Sequence, residues 1–479
     1  MALFLVAGIP RILAVFLLPN AFGDAFSYLE VINHMREKMA DGTFGIKDLY
    51  GFWFPLYQVV CAALGYLFGY TYYLAKLVSA LCGIGVCLLV YSLTMRLTDH
   101  RPLSLLAFGF AALSPLHIIY SSSSMTDIPH AFFVMATLSF ALQNRWKTAA
   151  IFAVMAGLTR IESWLLIALL PALQFFFQRR ISLAAGGLLL ISPLLWFYIS
   201  WKATGNPMSY FEVRNRYIAD YAAANPRVAT FTFNRLHLDA ERLLISTNLG
   251  VLASCLVAAW LTAGRLLRQR FEAVSKEFAG VLATTIFFFY NLGFLLFAYF
   301  TGRQPDIWSR YGLLFFTLGL PVTAWTFLLI GRERLRLKTT IAAALLLIFL
   351  FQMKDQISEV AAVVSEETAR TGIADFLKRV HRDDPSLSIY CEDGNVKFLT
   401  GISKEKFLTA YQLPSDATAL LRRFDEAGVK YVVCNTWEVS QLTKLFPEVG
   451  KGKGNDIFHP VMRAGARYSR LEFWIYRYR

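Results

Sequence analysis

The sequence predicts a mainly α protein: a polytopic transmembrane helical bundle of about 11 spans with a small C-terminal α/β domain outside the cytoplasm. Three observations lead there. Of 479 residues, 56 % are hydrophobic and 41 are Phe, a composition suited to lipid rather than to a water-soluble enzyme. Apolar stretches recur at near-membrane length up to about residue 353. Beyond Lys354 they stop, and a mixed helix-and-strand pattern takes over.

A bilayer core needs about 20 apolar residues per helix. Candidate spans fall at 2–19, 72–95, 102–120, 127–143, 148–158, 162–177, 181–201, 243–263, 277–300, 310–330 and 339–353. The fifth and the last are short, as tilted or broken helices are. No basic region precedes the first apolar run and no small-residue cleavage site follows it, so it reads as a retained span. Residues 52–70, "FWFPLYQVVCAALGYLFGY", are apolar enough for a twelfth. Pro55, the glycines and the many aromatics suit an interfacial or re-entrant element better.

Basic clusters set the orientation. Arg96–Arg101, Arg145–Lys147, Arg179–Arg180, Arg265–Lys276 and Arg332–Lys338 fall on one side of this topology, which the positive-inside rule makes cytoplasmic. The formal charge of +14 is therefore an orientation signal rather than a nucleic-acid footprint, and no nucleic-acid partner is expected. The other side receives 21–71, "SSSSMTDIPH", "LTRIES", 202–242, "TGRQPDIWSR" and everything after about 354. The transmembrane domain is thus 1–353, with outer loops 21–71 and 202–242, and the soluble domain is 354–479.

The C-terminal part reads as an amphipathic helix, an Asp-Asp-Pro turn and a short strand, followed by a helix stopping at Gly428 and the strand "KYVVCN". The alternating strand "SRLEFWIYRYR" closes it. Cys391 and Cys434 lie here and could pair outside the cytoplasm.

Several polar residues stand where lipid or its surface makes charge costly. Asp24 follows the first apolar run and suits the cap of a helix starting near Ala25. Asp127 occupies the equivalent place before Ile128-Pro129. Two carboxylates on one face suit transfer onto a hydroxyl: one can take the acceptor proton, and the other can orient the acceptor or help hold a cation. Arg160 and Glu162 sit at an outer turn. Arg310, followed by Tyr311, stands at the mouth of the tenth span, where a guanidinium can grip phosphate bidentately. Lys76, Lys202 and His117 are further candidates for the same work, although snorkelling or core hydrogen bonding also accounts for each. Arg11 interrupts the first span and should face the bundle or a headgroup. "GNPMSYFEVRNRY", with Arg214 and Arg216, has the composition of a lid.

Taken in order, these pieces resemble the integral-membrane C-type glycosyltransferases, in the branch of the protein O-mannosyltransferases and the lipid A aminoarabinose transferase. The resemblance is carried by an Arg in the first span, "FGDAFSYLEVI", "WFPLYQ", "SPLH" with "MTDIP", "GLTRIES" and "SRYGLLFFTLGLP", with an α/β module behind them. It implies inverting transfer of a sugar from a polyprenyl-phosphate donor to a hydroxyl of a protein, lipid or glycan, outside the cytoplasm at the cell (inner) membrane. Asp24 maps to the first-loop catalytic carboxylate, Asp127 to the acidic residue of the second outer loop, and Arg310 to the Arg that approaches the carrier phosphate. Where many relatives have Asp-Glu, Asp24 is followed by Ala25. The cofactor is therefore left as a divalent cation, magnesium or manganese, on Asp24 and Asp127, or none. A lipid-linked glycan flippase and an assembly factor are the rival classes; a flippase usually shows repeated halves, and none is visible.

Overall fold

The computed structural model describes residues 1–20, 24–69, 71–224, 232–269, 276–330, 335–408, 414, 416–436 and 441–479. Four stretches read above fall partly outside the described residues: 21–23 ahead of Asp24, 225–231 of the long outer loop, and 270–275 and 331–334 of two basic loops. The described residues form two compact units, Met1–Leu18 with Val31–Ile357 and Pro19–Glu30 with Ser358–Arg479.

In the first unit, six described helices are long and apolar enough to cross a membrane: Thr71–Thr98, Ile161–Gln178, Leu183–Thr204, Leu249–Leu266, Glu277–Phe300 and Ser309–Leu329. Arg101–Leu113 and Pro115–Ser121, bent by 60°, make a seventh if they are one broken span. The protein is an integral membrane protein. Against the expected eleven spans, the shortfall lies in apolar helices such as Ala2–Leu17 and Trp146–Gly157, which have 16 and 12 residues. At 1.5 Å per residue these are roughly 18–24 Å long, short of a hydrocarbon core of about 30 Å.

Two expected spans are cut, each for a local reason. At Ser114 the backbone turns extended, Pro115 starts a new helix, and Ser114 Oγ accepts from the His117 amide at 3.3 Å. The carbonyls freed at the end of the preceding helix are taken by Arg11, which donates to Ala111 and Ala112 at 3.1 and 3.0 Å and contacts His117 Nδ1 at 2.7 Å. Arg11 therefore faces the bundle, fully buried. The 243–263 span is divided at Asn248, whose φ of 74° ends an amphipathic helix, Phe233–Thr247. Its Oδ1 then caps the next helix by accepting from Gly250 and Val251.

Within 52–70 the helix is only Leu56–Phe68, 13 residues. The aromatic run before it has a packing purpose. Phe54 stacks on Trp196 at 4.5 Å and meets Trp164 and Tyr210 edge-on at 5.6 and 5.3 Å. These rings enter the protein rather than lipid.

The second unit is built on a mixed five-stranded sheet, β1 (Ser388–Cys391), β2 (Phe407–Leu408), β3 (Val429–Asn435), β4 (Phe458–Gly465) and β5 (Glu472–Tyr478), in the order β2-β1-β3-β5-β4. The first three are parallel; β5 runs antiparallel to β3 and β4. One face packs on Ile373, Ala374 and Leu377 of the 49-residue helix Leu335–Asp383, and the other on Leu420 and Phe424. Gly428 ends the Ala417–Glu426 helix at φ 64°, the left-handed conformation that glycine adopts without strain. Cys391 and Cys434 are free and buried. Cys391 pairs in register with Val433, so Cys434, one residue on, faces the opposite side of the sheet. The expected pairing is overturned by this alternation.

Candidate active site

The Asp127–Leu142 and Trp146–Gly157 helices pack side by side, and the chain leaves the second through a tight turn at 158–160 into Ile161–Leu165. That turn places Arg160 against the start of the first helix. Its Nη1 donates to Asp127 Oδ1 at 2.7 Å, and its Nη2 and Nε donate to Glu162 at 3.2 and 3.4 Å. The guanidinium also lies over the Tyr311 ring at 5.5 Å. Burial by itself would lower the Arg160 pKa; the Glu162 and Asp127 carboxylates more than offset it and hold the group well above its ordinary value. One turn after Asp127, His130 Nε2 and Ser163 Oγ share a hydrogen bond of 2.7 Å, tying the same two elements a second time.

Asp127, His130, Arg160, Glu162 and Tyr311 line a cavity of about 470 Å³. Its polar wall also receives Arg214, Arg303, Gln304 and Arg310; its apolar wall is Phe294, Leu295, Phe297, Leu314 and Phe315. Arg214 donates to Tyr210 at 3.3 Å, and Gln304 Nε2 donates to the Tyr311 hydroxyl at 3.1 Å. The lining holds four guanidiniums and two carboxylates together with Phe and Leu side chains. Such a space suits an anionic head joined to a hydrocarbon tail.

Five of the nine sequence candidates line this cavity: Asp127, Arg160, Glu162, Arg310 and Tyr311. Lys76 and His117 are placed elsewhere. Lys76, fully buried, donates to the Val15 and Leu18 carbonyls at 2.6 and 2.7 Å, closing the end of the first helix. His117 is the partner of Arg11 described above. Lys202 is exposed and lies over Trp201 at 4.9 Å and Tyr198 at 5.7 Å, an interfacial arrangement. Asp24 is the first residue of the Asp24–Ala40 helix, one position before the expected start, and belongs to the second unit. Arg216 is exposed. Sequence reading passed over His130, Arg303, Gln304 and Asn291. The i, i+3 spacing of Asp127 and His130 would have signalled the first.

No curated protein sequence matches the chain. The profile of the dolichyl-phosphate-mannose-protein mannosyltransferase family matches residues 49–170, the segment that holds Asp127, Arg160 and Glu162. Among solved structures, ArnT from Cupriavidus metallidurans, crystallised bound to undecaprenyl phosphate, aligns over 99 % of this chain and 97 % of its own at 14 % identity, with a TM-score of 0.54. The apo oligosaccharyltransferase of Archaeoglobus fulgidus aligns over 91 % of this chain and 69 % of its own, at 12 % identity and a TM-score of 0.54. Oligosaccharyltransferase AglB from the same organism, solved with an inhibitory peptide and a dolichol-phosphate, aligns over 90 % and 69 %, at 11 % identity and a TM-score of 0.50.

The chain shares its fold with ArnT and with the oligosaccharyltransferase. At these identities the agreement is one of architecture, and the side chains of the cavity are this protein's own. Within that frame the polar wall comes from the profile-matched segment together with the 209–224 and 301–311 stretches. Among the described residues, no three His, Cys, Asp or Glu side chains converge as a metal-ion site.

Proposed function

We propose that this protein moves a sugar from a polyprenyl-phosphate-linked donor to an acceptor hydroxyl, with inversion, on the extracytoplasmic side of the cell (inner) membrane. The observation that carries the reading is the cavity: Arg160 clamped by Asp127 and Glu162, with Arg214, Arg303 and Arg310 and several Phe and Leu side chains in the same lining. The family profile and the shared fold support it.

Chemically, the acceptor oxygen attacks the anomeric carbon as the bond from that carbon to the phosphate oxygen breaks. The acceptor proton passes to a carboxylate, a role assigned to Asp24 by the family resemblance alone since Asp24 is not among the residues lining the cavity, and the carrier leaves as an anionic polyprenyl phosphate. Negative charge grows on the phosphate, and guanidiniums fixed beforehand in a site lined by apolar side chains stabilise it without reorganising. Asp127 has a different task. Its Oδ1 is engaged by Arg160, so we assign it to orienting that guanidinium rather than to taking the proton. Basic loops on the opposite face support the outward orientation. A flippase would need no base.

The test is purified protein in lipid with a radiolabelled polyprenyl-phosphate sugar and a panel of hydroxyl acceptors, the product anomer being read by NMR. Transfer with inverted configuration that is lost in Asp24→Asn supports the assignment. Movement of intact donor across the bilayer without sugar transfer would replace it with the flippase reading.

A further inference from the structure

We infer that Asp239, which is not among the residues lining the cavity, is a positioning residue for the transfer proposed above: it latches the 301–311 segment that carries Arg303, Gln304, Arg310 and Tyr311 to the cavity wall. The inference rests on that reading of the site and adds a residue that no motif in the sequence points to.

Asp239 sits in the middle of the Phe233–Thr247 helix and is 2 % exposed. Its Oδ2 accepts from the Tyr299 hydroxyl at 2.8 Å and lies 3.7 Å from Arg235 Nε; its Oδ1 lies 3.6 Å from Arg242 Nη1. The two arginines, one turn before and one turn after, each reach the segment that follows Tyr299. Arg235 stacks over the Tyr299 ring at 5.3 Å and donates to the Pro305 carbonyl; Arg242 stacks over Trp308 at 4.6 Å. One helix therefore grips Tyr299, Pro305 and Trp308, and Asp239 is the common counter-charge that keeps both guanidiniums in place. At Gly312 the same helix comes closer still. A Cβ there would lie 1.9 Å from Ser246 Oγ, so the end of the segment has no room to drift.

The gripped positions alternate with cavity positions. Arg303 and Gln304 lie between Tyr299 and Pro305, and Arg310 and Tyr311 stand two and three residues after Trp308. Small displacements here change where a guanidinium meets a phosphate, and misplacement of even about 1 Å is costly to an oriented reaction. Without that carboxylate the two arginines lose the acceptor they share, and the Tyr299 hydroxyl loses a 2.8 Å hydrogen bond.

The effect is read in two ways, one of which needs no turnover. First, a nitroxide on Arg303→Cys, in a Cys82→Ser background and in lipid, reports the mobility of the segment. Second, initial rates against donor concentration separate KM from kcat. Asp239→Asn is expected to mobilise the label and raise the donor KM by about tenfold or more, with kcat changed by less than about threefold. Asp239→Glu should restore part of both. Tyr299→Phe, which removes a single hydroxyl, should move both readouts the same way by less, and it carries the test if Asp239→Asn does not fold. A folded Asp239→Asn with unchanged label spectrum and unchanged donor dependence overturns the inference. If the wild type transfers no sugar, the proposed function fails, while the label spectrum still decides whether the latch exists.

Discussion

Asp127 Oδ1 and Arg160 Nη1 stand 2.7 Å apart, with Glu162 bonded to the other edge of the same guanidinium. Two carboxylates on one arginine fix its plane, and the plane decides how phosphate oxygens are met. Asp127→Asn should therefore lower kcat/KM by roughly 10- to 100-fold while the protein stays folded, since Glu162 still compensates the charge. A cycle of Asp127→Asn and Glu162→Gln should be non-additive by about 1–3 kcal/mol. Steady-state rates on the four proteins check this; additive losses would mean that the two carboxylates act separately.

Arg11 and Lys76 lead to a different expectation. Both spend their donors on main-chain carbonyls inside the bundle, Arg11 on Ala7 of its own helix and on Ala111 and Ala112, and Lys76 on Val15 and Leu18. Arg11→Met should cost about 3 kcal/mol or more, because it leaves buried carbonyls unsatisfied and removes one of the two groups bonded to His117 Nδ1. Lys76→Met should cost less. The surviving folded fraction of Lys76→Met should bind donor as the wild type does, which thermal unfolding in detergent followed by donor titration will show. Selective loss of donor affinity would return Lys76 to the site.

Helix packing gives a third test. A Cβ on Gly319 would lie 2.2 Å from Val251 Cγ1, so the span that follows Tyr311 approaches the 249–269 helix at van der Waals contact. Gly319→Val should reduce the yield of folded protein and lower the unfolding temperature by several degrees. Gly293→Ala, with open space around its Cβ, should change little.

In the C-terminal unit, Glu366, Glu367 and Asp393 share one guanidinium, Arg370, which lies 3.1–3.7 Å from each. Burial raises the Glu367 pKa to about 7, Arg370 only partly offsetting it. The folded-state pKa is above the unfolded one. The stability that Glu367 contributes is therefore fully present below about pH 4.5 and is lost as pH rises towards 7. Glu367→Gln should flatten that decline between pH 5 and 7, as seen by tryptophan fluorescence of the C-terminal unit, and a decline of equal slope in the variant would contradict the assignment.

Much of this was legible in the chain because lipid leaves so few options. Apolar runs located the membrane helices, and the charged residues among them, Asp127, Arg160, Glu162 and Arg310, identified part of the polar lining. The misplacements come from effects that composition does not record. Ser114 and Asn248 cut two apolar runs through local backbone conformation, and an Arg from another helix supports the first cut. Arg11, Lys76 and His117 have the residue types of a phosphate site, but their partners are carbonyls and one another. At 52–54, read as part of an interfacial or re-entrant element, hydropathy alone could not separate rings that fill a protein interior from rings that meet lipid, because the two have the same hydropathy. Asp239 was invisible for the opposite reason. On an amphipathic helix a carboxylate flanked by arginines reads as a solvated ion pair, and only the fold turns it inward.

The most direct measurement is equilibrium binding of a polyprenyl phosphate to purified wild-type protein in lipid and to Arg160→Ala and Arg310→Ala. Cavity guanidiniums that hold the phosphate should give saturable binding to the wild type, weakened about tenfold or more by either substitution in folded protein. Equal affinity for all three proteins would contradict the assignment of this cavity to the lipid phosphate.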